Sequence, residues 1–277
     1  MAADCHIHMV LDGVDWRASI ASHQNGPDEP LIRTVLSRYQ SLGYTYLRDG
    51  GDRWGVGAAA RSLAAEYGIT YRTPLSPLCK QGHYGSFIGI TYTSMAEYAH
   101  LVAQIRENGG DFIKIMISGL MDFNQYGVLT EPGFAPEEIR ELIHIAHEEG
   151  MAVMAHANGA RTVEAAAVAG VDSIEHGAYL DAEALDAMQE AGTVWVPTLS
   201  TIGNLIGTGR FPEYAVEKIL DSALENLSRC SCPVAPGTDA GAWAVPHGID
   251  TELPLLTRAG ITPDRLEQGV AIIKSKF

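Results

Sequence analysis

Four histidines, one lysine and one aspartate stand at or near the ends of short apolar runs, and these residue types together can bind metal ions. The first pair lies in Asp4-Cys5-His6-Ile7-His8. Residues two apart on a β-strand point to the same side, so His6 and His8 project together. Imidazole nitrogen is a common ligand of zinc and related metals. The pair therefore indicates a metal site beside the first strand.

A lysine stands inside the apolar run Phe112-Ile113-Lys114-Ile115-Met116-Ile117-Ser118. Strand alternation places Lys114 on one face with Phe112 and Met116, away from the isoleucines, which predicts a buried ammonium group. Burying that charge is costly unless it is paired or chemically changed. The alternative interpretation is a lysine whose stem packs while its amino group reaches solvent at the end of the strand.

Three further runs each end in a possible metal ligand. They are Met154-Ala155-His156-Ala157-Asn158-Gly159, Ile174-Glu175-His176-Gly177 and Pro236-Gly237-Thr238-Asp239-Ala240-Gly241. Any one of His156, His176 and Asp239 is weak evidence for a site, because strand-end histidines and aspartates often cap helices. Together with the first histidine pair and the lysine, they predict one shared metal site.

Such a site needs a scaffold that brings distant strand ends together. The predicted strands are Asp4–Val10, Tyr44–Asp49, Thr70–Leu78, Phe112–Ser118, Ala152–Ala157, Ser173–His176, Thr193–Thr198 and Val234–Thr238. Amphipathic helical patterns alternate with them, and several end at glycine. Eight units of about 35 residues predict an α/β fold, a (β/α)8 TIM barrel whose site lies at the carboxyl ends of the strands. A doubly wound open sheet is the alternative architecture, and we expect one domain over residues 1–277.

Composition and net charge limit the kinds of molecule that this protein is expected to bind. The 277 residues carry a formal charge of −15 and a mean hydropathy of +0.01. An acidic surface argues against binding nucleic acid or an anionic membrane, so we expect a small-molecule substrate. The first residues do not resemble a signal peptide, and the four cysteines follow no disulfide pattern, so we expect a cytoplasmic protein with reduced thiols. Cys230-Ser-Cys232 lacks a second ligand pair for zinc. The sequence is compatible both with a monomer and with a homo-oligomer.

The chain resembles the amidohydrolase superfamily, in its binuclear-metal type with a carboxylated lysine, and more narrowly the imidazolonepropionase-like enzymes that include Xaa-Pro and Xaa-Arg dipeptidases. The resemblance runs from residue 4 to about residue 265. The matching stretches are His6-Ile7-His8, Asp111-Phe112-Ile113-Lys114-Ile115-Met116, Met154-Ala155-His156-Ala157-Asn158-Gly159, Ser173-Ile174-Glu175-His176-Gly177 and Gly237-Thr238-Asp239-Ala240-Gly241.

The resemblance implies a role for each matching position. One divalent ion would be held by His6, His8 and Asp239, and a second by His156 and His176. Lys114, carboxylated by CO2, would bridge both ions together with a hydroxide. Asp239 would also act catalytically as the proton shuttle. Zinc suits this histidine-rich set, although manganese, iron and cobalt stay open.

Two features depart from the family pattern. Asn158 stands where relatives often carry a second histidine. Relatives also usually add a small β-sandwich built from segments before and after the barrel, and this sequence leaves no residues for one. We therefore expect a barrel without the flanking β-sandwich.

Three residues are weaker candidates for substrate binding. His83 follows Gln81-Gly82, which is similar to a Gly-Gly-His segment of the family that reaches the substrate. Tyr126 lies in a possible lid at 121–131. His247, in Val245-Pro246-His247-Gly248, is expected near the mouth of the pocket.

The sequence thus predicts a metal-dependent hydrolase that cleaves a C–N amide bond in a dipeptide, an N-acyl amino acid or a cyclic amide. A substrate carboxylate would be bound by one of four basic loop residues: Arg17, Arg53, Lys80 or Arg210. The alternatives are a mononuclear-metal deaminase of the same superfamily and a non-catalytic metal-binding barrel. A nucleotide site at Gly55-Val56-Gly57-Ala58-Ala59-Ala60 is weaker, because five residues separate it from the strand.

Overall fold

The computed structural model describes residues 2–277, and its strand ladders are all parallel. The strands are β1 (Ala2–Ile7), β2 (Tyr44–Asp49), β3 (Thr70–Arg72), β4 (Leu78–Lys80), β5 (Ile90–Tyr92), β6 (Ile113–Met116), β7 (Val153–Ala157), β8 (Ser173–His176) and β9 (Val194–Val196). The helices are α1 (Trp16–Ser22), α2 (Glu29–Ser41), α3 (Val56–Ala64), α4 (Met95–Glu107), α5 (Pro136–Glu148), α6 (Ala160–Val168), α7 (Ala182–Ala191), α8 (Ser200–Gly203), α9 (Glu213–Arg229), α10 (Glu252–Arg258) and α11 (Pro263–Lys276). A 3-10 turn, Ala65–Tyr67, follows α3. Of the helices formed by residues 2–277, none has both the length and the apolar character needed to cross a bilayer.

The strands form two sheets that backbone hydrogen bonds join into a ring. One sheet has the strand order β1-β2-β3 and the other has the order β5-β4-β6-β7-β8-β9. On one side the amide of Asp111 donates to Thr73 O over 2.9 Å. On the other side residues 233–240 run between β9 and β1, and the amide of Cys5 donates to Pro236 O. The predicted α/β class with parallel strands is confirmed, and the ring brings the ends of β1, β6, β7 and β8 together.

Two predicted strands differ from the structure, and prolines explain both. The predicted strand Thr70–Leu78 is broken into β3 and β4, because Pro74 and Pro77 lack amide hydrogens and Leu75 adopts a φ of 63°. The predicted strand Val234–Thr238 forms no ladder, because Pro236 lacks the amide hydrogen that a ladder needs. It pairs through single bridges, Trp195 with Val234 and, just beyond, Ile7 with Ala240.

The core lies between the strands and the outer helices, and it fixes which way β6 faces. Ile113, Ile115 and Ile117 are buried in the cluster that contains Ile139 and Leu142 of α5. Lys114 lies between two of these isoleucines in the strand and points to the opposite side, where it lines the interior cavity and is 1% exposed. The predicted burial of this lysine on the face opposite the isoleucines is confirmed.

Candidate metal centre

The end of β1 and the segment after residue 236 bring the first group of ligand types together. Asp239 Oδ1 lies 3.4 Å from His6 Nε2 and 3.3 Å from His8 Nε2. The backbone sets this arrangement, because the amide of Asp239 donates to His6 O over 2.8 Å. Asp4 supports it from below by accepting hydrogen bonds from the amide and hydroxyl of Thr238. One donor atom from each of His6, His8 and Asp239 lies within 4.8 Å of the others.

The remaining predicted ligands lie beside this group. The ring centroid of His176, at the end of β8, is 5.3 Å from that of His6 and 4.5 Å from that of His156 on β7. Thr198 Oγ1 lies 2.7 Å from His176 Nδ1, which leaves the Nε2 atom of that ring for another partner. Lys114 on β6 borders the same cavity. The structure therefore brings together all six side chains that the sequence assigned to the metals.

Non-glycine residues hold unusual backbone angles around the site. The φ values are 70° at His176, 49° at Thr198 and 59° at Asp239. A residue with a Cβ rarely adopts this left-handed region, and such strain concentrates at functional sites. The chain thus keeps a particular side chain at each of these positions where glycine would fit the backbone more easily.

Unpartnered buried atoms show that this set fits a metal ion. Lys114 Nζ and His8 Nδ1 are buried and have no hydrogen-bond partner within residues 2–277. Buried polar atoms in folded proteins are almost always bonded. Neutral imidazoles, a carboxylate and a buried lysine amine that can carry a carboxylate form a donor set that divalent transition metals accept.

Burial sets the protonation of the ligand types. It lowers the pKa of His156 to about 3 and the pKa values of His6 and His176 well below their ordinary value. It also lowers the pKa of Lys114 to about 8, against the raising effect of Glu175 and Asp239. Burial alone would raise the pKa of Asp239, but His6, His8 and Lys114 outweigh it and hold that pKa below its ordinary value. The imidazoles of His6, His156 and His176 are therefore neutral and the Asp239 carboxylate is charged near pH 7, as metal binding requires.

A buried ion pair lies behind His6, and its glutamate was not predicted to have a role. Glu175 Oε2 lies 2.8 Å from His6 Nδ1, and Oε1 accepts a 2.7 Å hydrogen bond from Arg48 Nη2. Arg48 also donates to Cys5 O and Ser173 Oγ. A carboxylate on the outer nitrogen of a ligand histidine orients the ring and strengthens its binding. The sequence signal was a glutamate inside the apolar strand Ser173-Ile174-Glu175-His176.

A cavity of about 580 Å³ opens above the six side chains. Its upper wall is mostly apolar. The aromatic residues of that wall are Trp16, Tyr84, Phe87, Phe123, Phe211 and Trp243. Of the four basic residues considered for carboxylate binding, only Arg210 lines the cavity, with its guanidinium 3.8 Å from the ring centre of Trp243. Lys80 is instead paired with Glu138.

The three candidate substrate-binding residues lie outside the cavity wall. His83 is partly exposed and packs against Phe134. Its neighbour Tyr84 lines the cavity, and the centre of its ring lies 4.7 Å from that of His156. The Tyr126 hydroxyl donates to Ser222 Oγ. The rest of its loop does reach the cavity, through residues 120–124.

His247 is buried and turned away from the cavity. Its Nδ1 lies 3.2 Å from the Tyr39 hydroxyl and its Nε2 lies 2.8 Å from Leu11 O, so both ring nitrogens have partners. Burial lowers the pKa of this ring to about 4. His247 is therefore not among the residues that line the cavity.

The glycine-rich segment before α3 does not form a phosphate site. Asp52 accepts hydrogen bonds from the amides of Trp54, Val56 and Gly57 at 2.7, 3.0 and 2.8 Å. These are the amides that a bound phosphate would need. An aspartate already accepts from these amides, which argues against the nucleotide-binding alternative.

Comparison with known proteins agrees with this geometry. The model of the amidohydrolase family matches residues 62–271. The chain belongs to the amidohydrolase family. The predicted membership of the amidohydrolase superfamily is thereby confirmed.

Individual members of the amidohydrolase family align along nearly the whole chain. Ochratoxinase of Aspergillus niger is 26% identical over an alignment of length 303, gaps included. The alignment covers 94% of this chain and 61% of that protein. Imidazolonepropionase of Ectopseudomonas mendocina is 23% identical, covering 96% of this chain and 69% of the relative. The crystal structure of a Xaa-Pro dipeptidase with bound methionine superposes with a TM-score of 0.75 at 23% identity, covering 99% of this chain and 75% of that one. The chain therefore shares the amidohydrolase fold while spanning about 61% of the length of ochratoxinase.

Proposed function

We propose that this chain is a metal-dependent hydrolase that cleaves a C–N amide bond in a small molecule carrying a bulky apolar group and a carboxylate. The observation that carries the proposal is the convergence of six ligand-type side chains on the floor of one apolar cavity. Membership of the amidohydrolase family supports the reaction type.

His6, His8 and Asp239 would hold one divalent ion, and His156 and His176 a second. Two bound ions at this floor would polarise a substrate carbonyl and acidify a water molecule. Lys114 would bind both ions as its carbamate. The carbamate forms when the neutral amine adds to CO2 and releases a proton, and the lowered pKa of Lys114 makes the neutral amine available near pH 7.

Asp239 is the group best suited to move the proton. Its pKa lies below the ordinary value, so a carboxylate oxygen is free to accept a proton from the attacking water near pH 7. The same oxygen then protonates the amine nitrogen as the C–N bond breaks. Glu175 and Thr198 keep the rings of His6 and His176 in place during this cycle.

The cavity wall supports the substrate class. Tyr84 and the other aromatic side chains would pack against an apolar acyl or amino-acid side chain. Arg210 lies in the wall near Trp243 and would pair with a substrate carboxylate. An N-acyl derivative of a hydrophobic amino acid, or a dipeptide of such residues, meets both requirements.

Metal content and carbamate formation test the centre separately from activity. We expect two metal ions per chain by elemental analysis and a carbamate carbon resonance after incubation with 13C-labelled CO2. Lys114→Arg should abolish that resonance, whereas Lys80→Arg, on the neighbouring strand, should retain it. One metal per chain with ammonia release from an amino-substituted ring would support the deaminase alternative and contradict the proposal. Two metals per chain without hydrolysis of any dipeptide, N-acyl amino acid or cyclic amide tested would support the non-catalytic alternative and contradict the proposal.

Paired substrates test the role of Arg210. Hydrolysis of N-acyl amino acids should be compared with hydrolysis of the matching carboxamides. Arg210→Ala should raise KM for the acids by about tenfold, or 1.4 kcal/mol, while hardly changing KM for the carboxamides. Arg53→Ala is the matched control, because Arg53 also stacks on a tryptophan but lies outside the cavity wall. Equal effects of Arg210→Ala on both substrate series would contradict the role.

A further inference from the structure

Two cysteine side chains face each other at the end of α9, away from the metal centre. Cys230 ends the helix, and its Sγ lies 2.7 Å from Cys232 Sγ. That separation is far shorter than an ordinary contact between sulfur atoms and approaches the S–S bond length of about 2.05 Å. Ser231 forms the tip of the turn between them, so little backbone movement is needed to join the two sulfurs.

An arginine from α11 holds this turn. Arg265 Nη2 donates to Cys230 O over 2.5 Å and to Cys232 O over 2.8 Å. The hydrogen bond with Cys232 lowers the pKa of Cys230 to about 7, with Arg265 adding to the effect against burial. The pKa of Cys232 is raised well above its ordinary value, first by that same bond. Cys230 is therefore the thiol of the pair that ionises more readily.

A second cavity borders Cys232. Its volume is about 390 Å³, and Ser231, Cys232, Thr262, Asp264, Arg265 and Gln268 line it. Cys230 is 4% exposed and Cys232 is buried, so a bulky reagent cannot reach them without local opening, whereas hydrogen peroxide is little larger than water. The second cavity shares no lining residue with the cavity above the candidate metal centre.

We propose that Cys230 and Cys232 form a reversible dithiol that hydrogen peroxide oxidises to an intrachain disulfide. The Cys230 sulfur attacks one peroxide oxygen, the O–O bond breaks, hydroxide leaves and a sulfenic acid forms. The Cys232 sulfur then attacks Cys230 Sγ, forming the S–S bond and breaking the S–O bond, and the hydroxyl group leaves as water with the Cys232 thiol proton. The hydroxide from the first step becomes water with the proton that Cys230 released on ionising. The two sulfurs are oxidised together by two electrons, one peroxide is reduced and two waters are released.

The other two cysteines provide an internal contrast. Cys5 and Cys79 are buried in strands, and burial raises the pKa of each thiol to about 12. Neither has a hydrogen bond to another cysteine within the described part of the chain. They should stay reduced under conditions that oxidise the pair.

The experiment exposes the full chain to graded hydrogen peroxide, then denatures it, alkylates the free thiols and maps the modified peptides by mass spectrometry. We expect a loss of alkylation at Cys230 and Cys232 together, at least about tenfold faster than at Cys79, because the thiolate is the reactive form. The peptide containing residues 230 and 232 should lose two hydrogens in mass, and dithiothreitol should restore both alkylation sites.

Two variants separate a dithiol from nonspecific oxidation. In Cys232→Ser, the second step is blocked, so dimedone should trap a sulfenic acid at Cys230. In Cys79→Ser, the matched control, the disulfide should form as in the unmodified chain. Oxidation of Cys230 and Cys79 at equal rates, or disulfides that form only between chains, would overturn the proposal. If Cys232→Ser fails to fold, the mass loss and its reversal in the unmodified chain still decide the question.

Discussion

Replacing Arg48 by methionine should test how much of the stability depends on the ion pair behind His6. In the present structure the guanidinium donates to Cys5 O at 2.7 Å, Ser173 Oγ at 2.9 Å and Glu175 Oε1 at 2.7 Å. It also lies 4.5 Å from the ring centre of Phe277. Arg48→Met keeps the apolar stem but removes every one of these donors.

The expected loss follows from what stays behind. Glu175 is fully buried, and after the substitution its carboxylate would retain only Ser173 Oγ, at 2.6 Å, and His6. Removing one partner of a buried ion pair costs about 3–5 kcal/mol. Glu175→Gln alone should cost less, about 1.5–3 kcal/mol for one charge-assisted hydrogen bond. Because the second substitution removes the charge stranded by the first, the double variant should cost less than the two losses added together.

Equilibrium unfolding in urea, followed by tryptophan fluorescence on metal-free protein, measures all three free energies. Arg258→Met is the matched control, since Arg258 is exposed and pairs with Asp221, and exposed ion pairs contribute little. A loss below about 1 kcal/mol for Arg48→Met, or strict additivity in the double variant, would refute the reasoning.

Three further outcomes follow from the structure. Asp172 accepts hydrogen bonds from His147 and Lys276, which outweigh burial and lower its pKa, so the stability it provides is present above its ordinary pKa and lost as the pH falls through the lowered value. Asp172→Asn should therefore cost about 1–3 kcal/mol at pH 7 and much less near pH 3, measured by urea unfolding; an equal cost at both values would contradict this. Gly237→Ala would place a methyl group against Val196 and 2.9 Å from His6 Cβ, so calorimetry should show weaker zinc binding, and unchanged affinity would contradict the close packing. Zinc at about 100 times its Kd should stabilise the chelated protein by about 2.7 kcal/mol, seen as a higher unfolding temperature, whereas no shift would count against a metal centre.

The site was easier to predict than the strands that carry it. The burial of Lys114 and the shared direction of His6 and His8 could be predicted because strand alternation is a local rule. Their roles as metal ligands were implied by the family resemblance and stay a prediction. Glu175 escaped because its importance depends on Arg48, which is distant in sequence and meets it only in the folded ring. Position alone also favoured His83, while the packing of the following loop brings Tyr84 to the cavity instead.

The irregular strands show the limits of hydrophobic patterning. Residues 70–78 and 234–238 are apolar enough to be predicted as continuous strands, yet Pro74, Pro77 and Pro236 remove the amides that a ladder needs. Two short helices, α1 and α8, were not predicted. At seven and four residues they are too short to show a helical repeat, and Asp15 caps the first with its side chain.

The left-handed backbone at His176 and Asp239 has a consequence for anyone who evolves this protein in the laboratory. Glycine at either position would relieve about 1–2 kcal/mol of backbone strain while deleting a side chain of the proposed centre. In the absence of metal, a selection for heat resistance alone would thus reward variants that have lost the proposed centre. Libraries built on this scaffold should therefore hold both codons fixed, or select for zinc retention and thermal tolerance together.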